Sequence, residues 1–524
     1  MVPRPRGRVH PGLHRAHHPA VDRAAGPGGG RHLAHGDGAV SLFPEPLLFE
    51  ASRPGRRCTR TAGAERARAT EGLPASELRQ RPPALPELGE LDLVRHYTRL
   101  SQKNYAITTN FYPLGSCTMK YNPVVHEKLA ALESFAGLHP LQDDGEVQGA
   151  LGVLFELQQI LAACTGLPEV TLHPSAGAHG ELTALMVLRA WLDETGQTQR
   201  RTILIPDSAH GTNPASCTLA GFRVVSIKTS DTGLLDVPDL REHLGPDTAG
   251  LMITNPNTLG LFEEKIAEIC REVHAAGGKV YMDGANFNAI VGIARPGDFG
   301  VDMMHLNLHK TFSTPHGGGG PGAGPICVTA ELGKYLPVPR VVEDEDGYRL
   351  DHDRPHSIGR VRAWHGNFLV LLRAYCYAKR LGAEGLRRVA ENAVLNANYL
   401  RVKVHQKWRV PYDRICMHEF VARPKSEVKD QGIRTLDVAK RLIELGFHPP
   451  TIYFPLVVPE ALMIEPTETE SKETLDSFAG ALNQIADEAL QSPEILTGAP
   501  RNTPVQRVDE ARAVKDPQLC YRCS

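Results

Sequence analysis

The stretch richest in reactive side chains runs from His305 to Gly324, and its centre is Lys310. It reads His-Leu-Asn-Leu-His-Lys-Thr-Phe-Ser-Thr-Pro-His, then four consecutive glycines, Pro321, Gly322, Ala323 and Gly324. Apolar residues at Val301, Met303, Leu306 and Leu308 predict a buried strand, Val301 to Lys310, that ends on the lysine. The glycine run permits φ > 0 and lets backbone pass close to a ligand. An amine held in a dry pocket at a strand exit can attack a carbonyl carbon. Taken alone, the same pattern also describes a surface lysine ahead of a flexible loop.

Three further strings change that balance. Asp283 closes Lys279-Val-Tyr-Met-Asp and is followed by Gly284, Ala285 and Asn286. A carboxylate there can pair with a protonated ring nitrogen, or merely cap the next turn. Ser175-Ala-Gly-Ala-His-Gly180 lies between a short segment and a strong helix. Free N–H groups at Ala176, Gly177 and Ala178, with the helix dipole, make an anion site; an ordinary N-cap by Ser175 is the plainer alternative. His210, in Asp207-Ser-Ala-His-Gly-Thr-Asn-Pro214, can stack on a flat heteroaromatic ring or sit hydrogen-bonded in a loop. His309 either points to the anion or packs. Thr212 and Ala285 fall in the same strings and complete the candidate set. An anion nest, a stacking ring, a carboxylate and an amine are what pyridoxal phosphate requires. The four motifs therefore predict a site for that cofactor, with Lys310 as its Schiff-base lysine and His210 as the second catalytic candidate. No metal is expected: His14, His17 and His18 lack a framework to fix ligand geometry.

Positioning these motifs needs regular elements. Helical patterns cover Leu91–Leu100, 146–164, Glu181–Glu194 and Glu263–Ala276. Short apolar runs occur at Glu169–His173, Thr202–Pro206, Val224–Lys228, Gly250–Thr254, Lys279–Asp283, Val301–Lys310 and Gly324–Thr329. Their alternation predicts an α/β fold with a mostly parallel seven-stranded sheet, whose strand C-terminal ends share one edge. Residues 367–499, with helices at Asn367–His405 and Leu436–Leu445 and strands near Ile415–Ala422 and Thr451–Pro455, predict a smaller α+β C-terminal domain. The expected layout is an extension at 1–41, an arm and helix at 42–120, the large domain at 121–335, a charged, Pro-rich connection at 336–366, the small domain, and a tail at 500–524.

Composition bounds the rest. The 524 residues are 41% hydrophobic and 23% charged, with a formal net charge of -2. That balance favours neither nucleic acid nor an anionic membrane as partner. The most apolar stretch, Asn367 to Tyr377, is broken by Arg373 and is too short to span a bilayer. Ten cysteines in so long a chain are no disulfide framework and suit a reducing, cytoplasmic compartment. Cys520 and Cys523 form a lone Cys-x-x-Cys at the C-terminus. Residues 1–41 are rich in Arg, His, Gly and Pro without periodicity, which reads as disordered chain.

Longer strings carry a family resemblance. They are Phe111-Tyr-Pro-Leu-Gly-Ser-Cys-Thr-Met-Lys120, His210-Gly-Thr-Asn-Pro-Ala-Ser216, Met282-Asp-Gly-Ala-Asn286, His305 to Gly324, and Ile464-Glu-Pro-Thr-Glu468. From about Leu47 to about Asp509 the sequence resembles the glycine decarboxylase (P-protein) family of the glycine cleavage system, and is most similar to its separate second subunit. The resemblance implies fold type I of the pyridoxal-phosphate enzymes and a homologous first subunit as partner in an α2β2 assembly. It also implies decarboxylation of glycine, with the aminomethyl group passing to the lipoyl arm of the H-protein. Ser116, Cys117, Arg360 and His418-Glu-Phe420 are candidates for holding the substrate carboxylate, or are structural. An aminotransferase or a cysteine desulfurase would share Lys310 and Asp283; a non-catalytic subunit would need no amine.

Overall fold

Strands buried on both faces organise the chain. The computed structural model describes residues 45–58, 72–81, 83–317, 322–517 and 519. The expected extension at 1–41, the His14–His17–His18 group, and Cys520 with Cys523 lie outside them. The strands are β1 (Glu169–Thr171), β2 (Thr202–Pro206), β3 (Arg223–Ile227), β4 (Thr248–Thr254), β5 (Lys279–Gly284), β6 (Met303–Leu306) and β7 (Ile326–Val328). They form a seven-stranded sheet in the order β1-β7-β6-β5-β4-β2-β3. Pairing from β3 through β2, β4 and β5 to β6 is parallel; β7 runs antiparallel to both β6 and β1. Every residue of β2, β4 and β6 is buried, as a parallel sheet covered by helices demands. The mostly parallel α/β architecture expected from the alternating runs is therefore present.

Helices α1 (Glu90–Gln102), α2 (Gln148–Thr165), α3 (Gly177–Glu194), α4 (Thr212–Leu219), α5 (Ile266–Ala275), α6 (Phe368–His405), α7 (Thr435–Glu444) and α8 (Lys472–Gln491) are the elements used below. Leu154, Leu157 and Leu161 of α2 share one core with Val280, Met282 and Leu306. Leu185, Leu188 and Leu192 of α3 pack with Ile203, Met252 and Tyr281 in another. Residues Val370 to Ala390 of α6 enter the first core, whereas Ala397, Leu400 and Val404 enter a third with Phe420, Leu442 and Phe478. Gly382, at φ 62° and ψ -174°, interrupts that long helix between its two attachments.

Two boundaries differ from expectation with consequences for the site. The strand expected to reach Lys310 stops at Leu306, because its last partner on β5 is Gly284. The chain then turns: Lys310 N–H donates to Asn307 O at 2.9 Å and Phe312 N–H to Leu308 O at 3.2 Å. Lys310 therefore sits in a turn beyond the strand tip. Helix α3 starts at Gly177, not at Glu181, because its first turn is pressed against the chain after β6. A Cβ on Gly180 would lie 2.7 Å from Gly324 O and 2.9 Å from His305 Cβ; one on Gly177 would lie 2.7 Å from Asn307 Oδ1. Gly180→Ala is expected to cost about 1–3 kcal/mol through overpacking against rigid backbone, seen as a lower urea midpoint with an unchanged slope.

The connection at 336–366 holds a hairpin its charge content concealed. It comprises β8 (Arg340–Asp344) and β9 (Gly347–Asp351). It lies on α2, where Gln158 Nε2 donates to Val341 O at 3.1 Å and Gln148 Nε2 to Tyr348 O at 2.6 Å. Beyond α6, β10 (Phe420–Ala422), β11 (Thr451–Ile452) and β12 (Leu462–Ile464) form an antiparallel sheet in the order β10-β12-β11. No helix among the described residues is long and apolar enough to cross a membrane.

Residues 111–120 form a strap from this second sheet to the first. Phe111 packs edge-on against Phe478, with centroids 5.0 Å apart. Leu114 bridges to Ile464, and Thr451 Oγ1 donates to Gly115 O at 2.9 Å. Gly115 has room for no side chain, since a Cβ there would lie 2.3 Å from Met463. Ser116 and Thr118 then adopt φ of 56° and 48°. Such conformations cost about 1–3 kcal/mol each and persist only where surroundings hold them. At the far end, Lys120 Nζ is buried and donates to Asn288 Oδ1, Thr311 O and Glu468 Oε1, each at 2.8 Å.

Candidate active site

The C-terminal ends of the parallel strands, the start of α3 and the strap enclose a cavity of about 350 Å³. It is lined by Gly177, Ala178, His210, Thr212, Asp283, Ala285, His309 and Lys310 among the expected residues. Ser116 and Cys117 also line it. Ser175 and Ala176 do not. Ser175 Oγ accepts from Arg362 at 2.8 Å, and the carbonyl of Ala176 lies under Gly324. Arg360 is exposed elsewhere on the surface, and Phe420 belongs to the C-terminal core.

The turn expected to hold an anion is the start of an 18-residue helix. Gly180 N–H already bonds to Ala176 O at 2.9 Å. The N–H groups ahead of it, on Gly177 and Ala178, have no carbonyl within the helix to meet and carry its positive pole.

Asp283 is buried at the end of β5. Its Oδ1 accepts from Ala285 N–H at 2.8 Å and its Oδ2 from Asn213 Nδ2 at 3.2 Å; His305 Nε2 stands 3.5 Å from Oδ1. Burial alone would raise this carboxyl. His305, the Ala285 N–H, the nearby Lys310 charge and Asn213 outweigh it and hold Asp283 below the usual carboxylate range. His305 Nδ1 in turn meets the Tyr281 hydroxyl. Burial raises that phenol well above its ordinary value, so it remains a donor. Nε2 of the same ring faces Asp283.

His210 is exposed at the cavity mouth, its ring 5.7 Å from Phe454. Thr212 N–H donates to its Nδ1 at 3.2 Å. Thr212 Oγ1 donates to Glu181 Oε1 at 2.9 Å, and Ser216 Oγ to Glu181 Oε2 at 3.0 Å. Burial lowers His309 to about 3 and His316 to about 4, with the Lys310 charge adding to both. Burial raises the Cys117 thiol to about 11. At neutral pH these rings are uncharged and the thiol is protonated. Lys310 is the one lysine or arginine among the described lining residues.

Sequence reasoning missed Glu181, Asn213, His305, Asn307 and His316. Glu181 reads as an ordinary acid of a first helical turn. Asn213 and His305 lay inside the quoted strings, but their roles depend on neighbours from other elements.

Known proteins place this geometry. The family described as "Glycine dehydrogenase, C-terminal domain" matches residues 389–503, and "Aminotransferase class-V" matches residues 178–321. A solved glycine decarboxylase (P-protein) of the glycine cleavage system, in inhibitor-bound form, superposes with a TM-score of 0.68 at 23% identity, covering 80% of this chain and 95% of that one. A cysteine desulfurase from Thermococcus onnurineus NA1 superposes with a TM-score of 0.56 at 16% identity, over 72% of this chain and 95% of the other. These two likenesses establish the fold. The protein named glycine dehydrogenase (decarboxylating) subunit 2 in Halalkalibacterium halodurans is 55% identical over 479 residues, 91% of this chain and 98% of its own length. Its namesake in Caldanaerobacter subterraneus subsp. tengcongensis is 56% identical over 475 residues, 90% of this chain and 98% of its own. With such identity along nearly the whole of both relatives, the chain belongs to the glycine dehydrogenase (decarboxylating) subunit 2 family.

Proposed function

We propose that the cavity holds pyridoxal phosphate on Lys310, and that the chain uses it to decarboxylate glycine and pass the aminomethyl group to the lipoyl arm of an H-protein. The observation that carries this reading is the meeting of Lys310, Asp283 and the start of α3 around one cavity. The residues present fit that cofactor. Thr254 Oγ1, Asn286 Oδ1, Asn307 Oδ1, His309 Nδ1 and His316 Nε2 are buried lining atoms with no hydrogen-bond partner, which a polar ligand would satisfy. When bound, the cofactor supplies an electron sink for the pair released as the bond from Cα to the carboxylate breaks.

The chain's own groups divide the remaining work. The N–H groups of Gly177 and Ala178 would hold the phosphate. Asp283, kept ionised, would keep the ring nitrogen protonated, and Asn213 and His305 fix its orientation. His210 would cover the ring, tethered through Thr212 to Glu181. Lys310 would bind the cofactor and give way to the substrate amine. The substrate carboxylate loses its charge as CO2 forms, so a cavity walled by neutral imidazoles and a protonated thiol favours the step. The subunit 2 name of the relatives supports a first-subunit partner. We assign an α2β2 cytoplasmic assembly, without nucleic-acid or membrane partners, built from a cofactor domain at 121–335 and a small domain at 367–499.

Glycine–bicarbonate exchange by the purified chain with first subunit and lipoylated H-protein tests this reading. Exchange that requires pyridoxal phosphate, with a glycine-dependent change in its absorption, is the expected result. Activity on keto-acid acceptors without exchange would make the chain an aminotransferase instead.

A further inference from the structure

Behind the cavity wall lie two carboxylates with no exposure: Glu419, just before β10, and Glu465, just after β12. Their oxygens and a ring nitrogen of His418 lie within 4.8 Å of one another. Each holds one strained residue of the strap. Glu419 accepts from Ser116 N–H at 2.7 Å and from its hydroxyl at 3.0 Å. Glu465 accepts from Thr118 N–H at 2.9 Å and from its hydroxyl at 2.5 Å. Asn286 Nδ2 adds a donor to Glu419 at 3.2 Å.

The charged and titratable groups facing the pair are Lys310, Cys117, Cys416, His418 and Glu468; burial keeps the Cys416 thiol protonated. Glu468 is itself engaged by Lys120 at 2.8 Å. His418 adds no charge, because burial and Lys310 hold it near 3, and neither of its nitrogens has a partner. Two adjacent negative charges in so dry a place repel without water to screen them. Burial, then mutual repulsion, raises Glu419 well above its ordinary value; burial raises Glu465 to about 7.

Resting on the reading of Lys310 as the reactive amine, we propose that Glu419 and Glu465 share one proton and present a single negative charge to Lys310. They are positioning residues: they keep one negative charge near the amine and touch no substrate. The shared proton makes the charge robust. If either acid becomes glutamine, the other loses its rival and ionises, so Lys310 still faces one negative charge. Only removal of both acids takes that charge away. A purely structural pair behaves differently, since each glutamine alone would already weaken its own strap contact and raise the labelling of Lys310.

Infrared spectroscopy of the cofactor-free full chain at about pH 8.5, above the range where Glu263, Glu465 and Glu470 ionise singly, reads the proton directly. A carboxylic-acid C=O band is expected in the native chain and absent from both Glu419→Gln and Glu465→Gln. At the same pH an amine-reactive reagent should label Lys310 within twofold of native in either single variant. In the double variant labelling should rise about tenfold, as loss of an opposite charge nearby favours the neutral amine. A native chain without the band, or single variants whose labelling gains add up in the double, would overturn the proposal. The native band alone decides if a variant fails to fold. All these readouts omit the cofactor, so failure of cofactor loading or glycine exchange would sink the functional reading and leave the proton pair standing.

Discussion

Lys310→Ala is expected to lower glycine decarboxylation by at least about 10³-fold, since no other group in the cavity can serve as the nucleophilic amine. The other candidates are blocked in known ways. Cys117 is held protonated, and Lys120, the buried lysine at the end of the strap, is locked by Asn288, Thr311 and Glu468. The variant should still fold, because Lys310 contributes to its turn through the backbone. Loss of the absorption band of lysine-bound pyridoxal, with unchanged circular dichroism, separates lost chemistry from lost structure. Lys310→Arg keeps the charge beside Asp283 but not the nucleophile, and should be equally inactive. Exchange within tenfold of native in either variant would remove Lys310 from the reaction.

Acid is expected to unfold the cofactor-free chain over a narrow range below about pH 4.5, after a nearly flat region up to about 6.5. Four histidines are held neutral mainly by burial: His173 and His316 at about 4, His309 and His418 at about 3. Their unfolded value is 6.5, so between there and the folded values the unfolded chain binds more protons and stability falls as pH falls. Buried acids work the other way. Glu263, Glu465 and Glu470 titrate at about 7 in the fold against 4.5 unfolded. Across that window the folded chain holds more protons, and stability falls as pH rises. Between 4.5 and 6.5 the two sets oppose each other. Below 4.5 the raised acids drop out, and carboxylates held low in the fold, Asp283 and Asp476 among them, add to the histidines, since they too bind more protons when unfolded. At about 1.4 kcal/mol per pH unit for each proton, the four histidines alone give a slope of up to about 5.5 kcal/mol per unit. Urea midpoints from pH 3.5 to 8 measure it; a smooth decline beginning at 6.5 would contradict the cancellation.

The alternation of apolar runs with amphipathic helices made the sheet and its parallel sense legible, because period and burial are written locally. Lys310, Asp283, His210 and the Gly177–Ala178 turn were legible for a related reason: each follows its own strand, and parallel connection brings strand ends together. The exceptions have physical causes. Leu306 and Leu308 continue an alternation that carries the expected strand to Lys310, although its pairing partner has already ended. The pattern puts Ser175 at the expected anion site, yet Arg362, remote in sequence, engages its hydroxyl. Glu419, Glu465 and His418 stand out only as members of longer strings, and nothing local signals that the two acids meet. Their environment comes from two strands and a strap hundreds of residues apart, and no periodicity carries that.

Anchoring Phe111 to Phe478 and threading Ser116 and Cys117 beside Lys310 makes the reaction chamber the joint property of two hydrophobic interiors. A truncated polypeptide ending near residue 406 would keep Lys310, Asp283 and the start of α3, but would leave one side of the cavity open to water. Inherited or engineered changes around Phe478 can therefore impair turnover without altering any residue that meets the substrate.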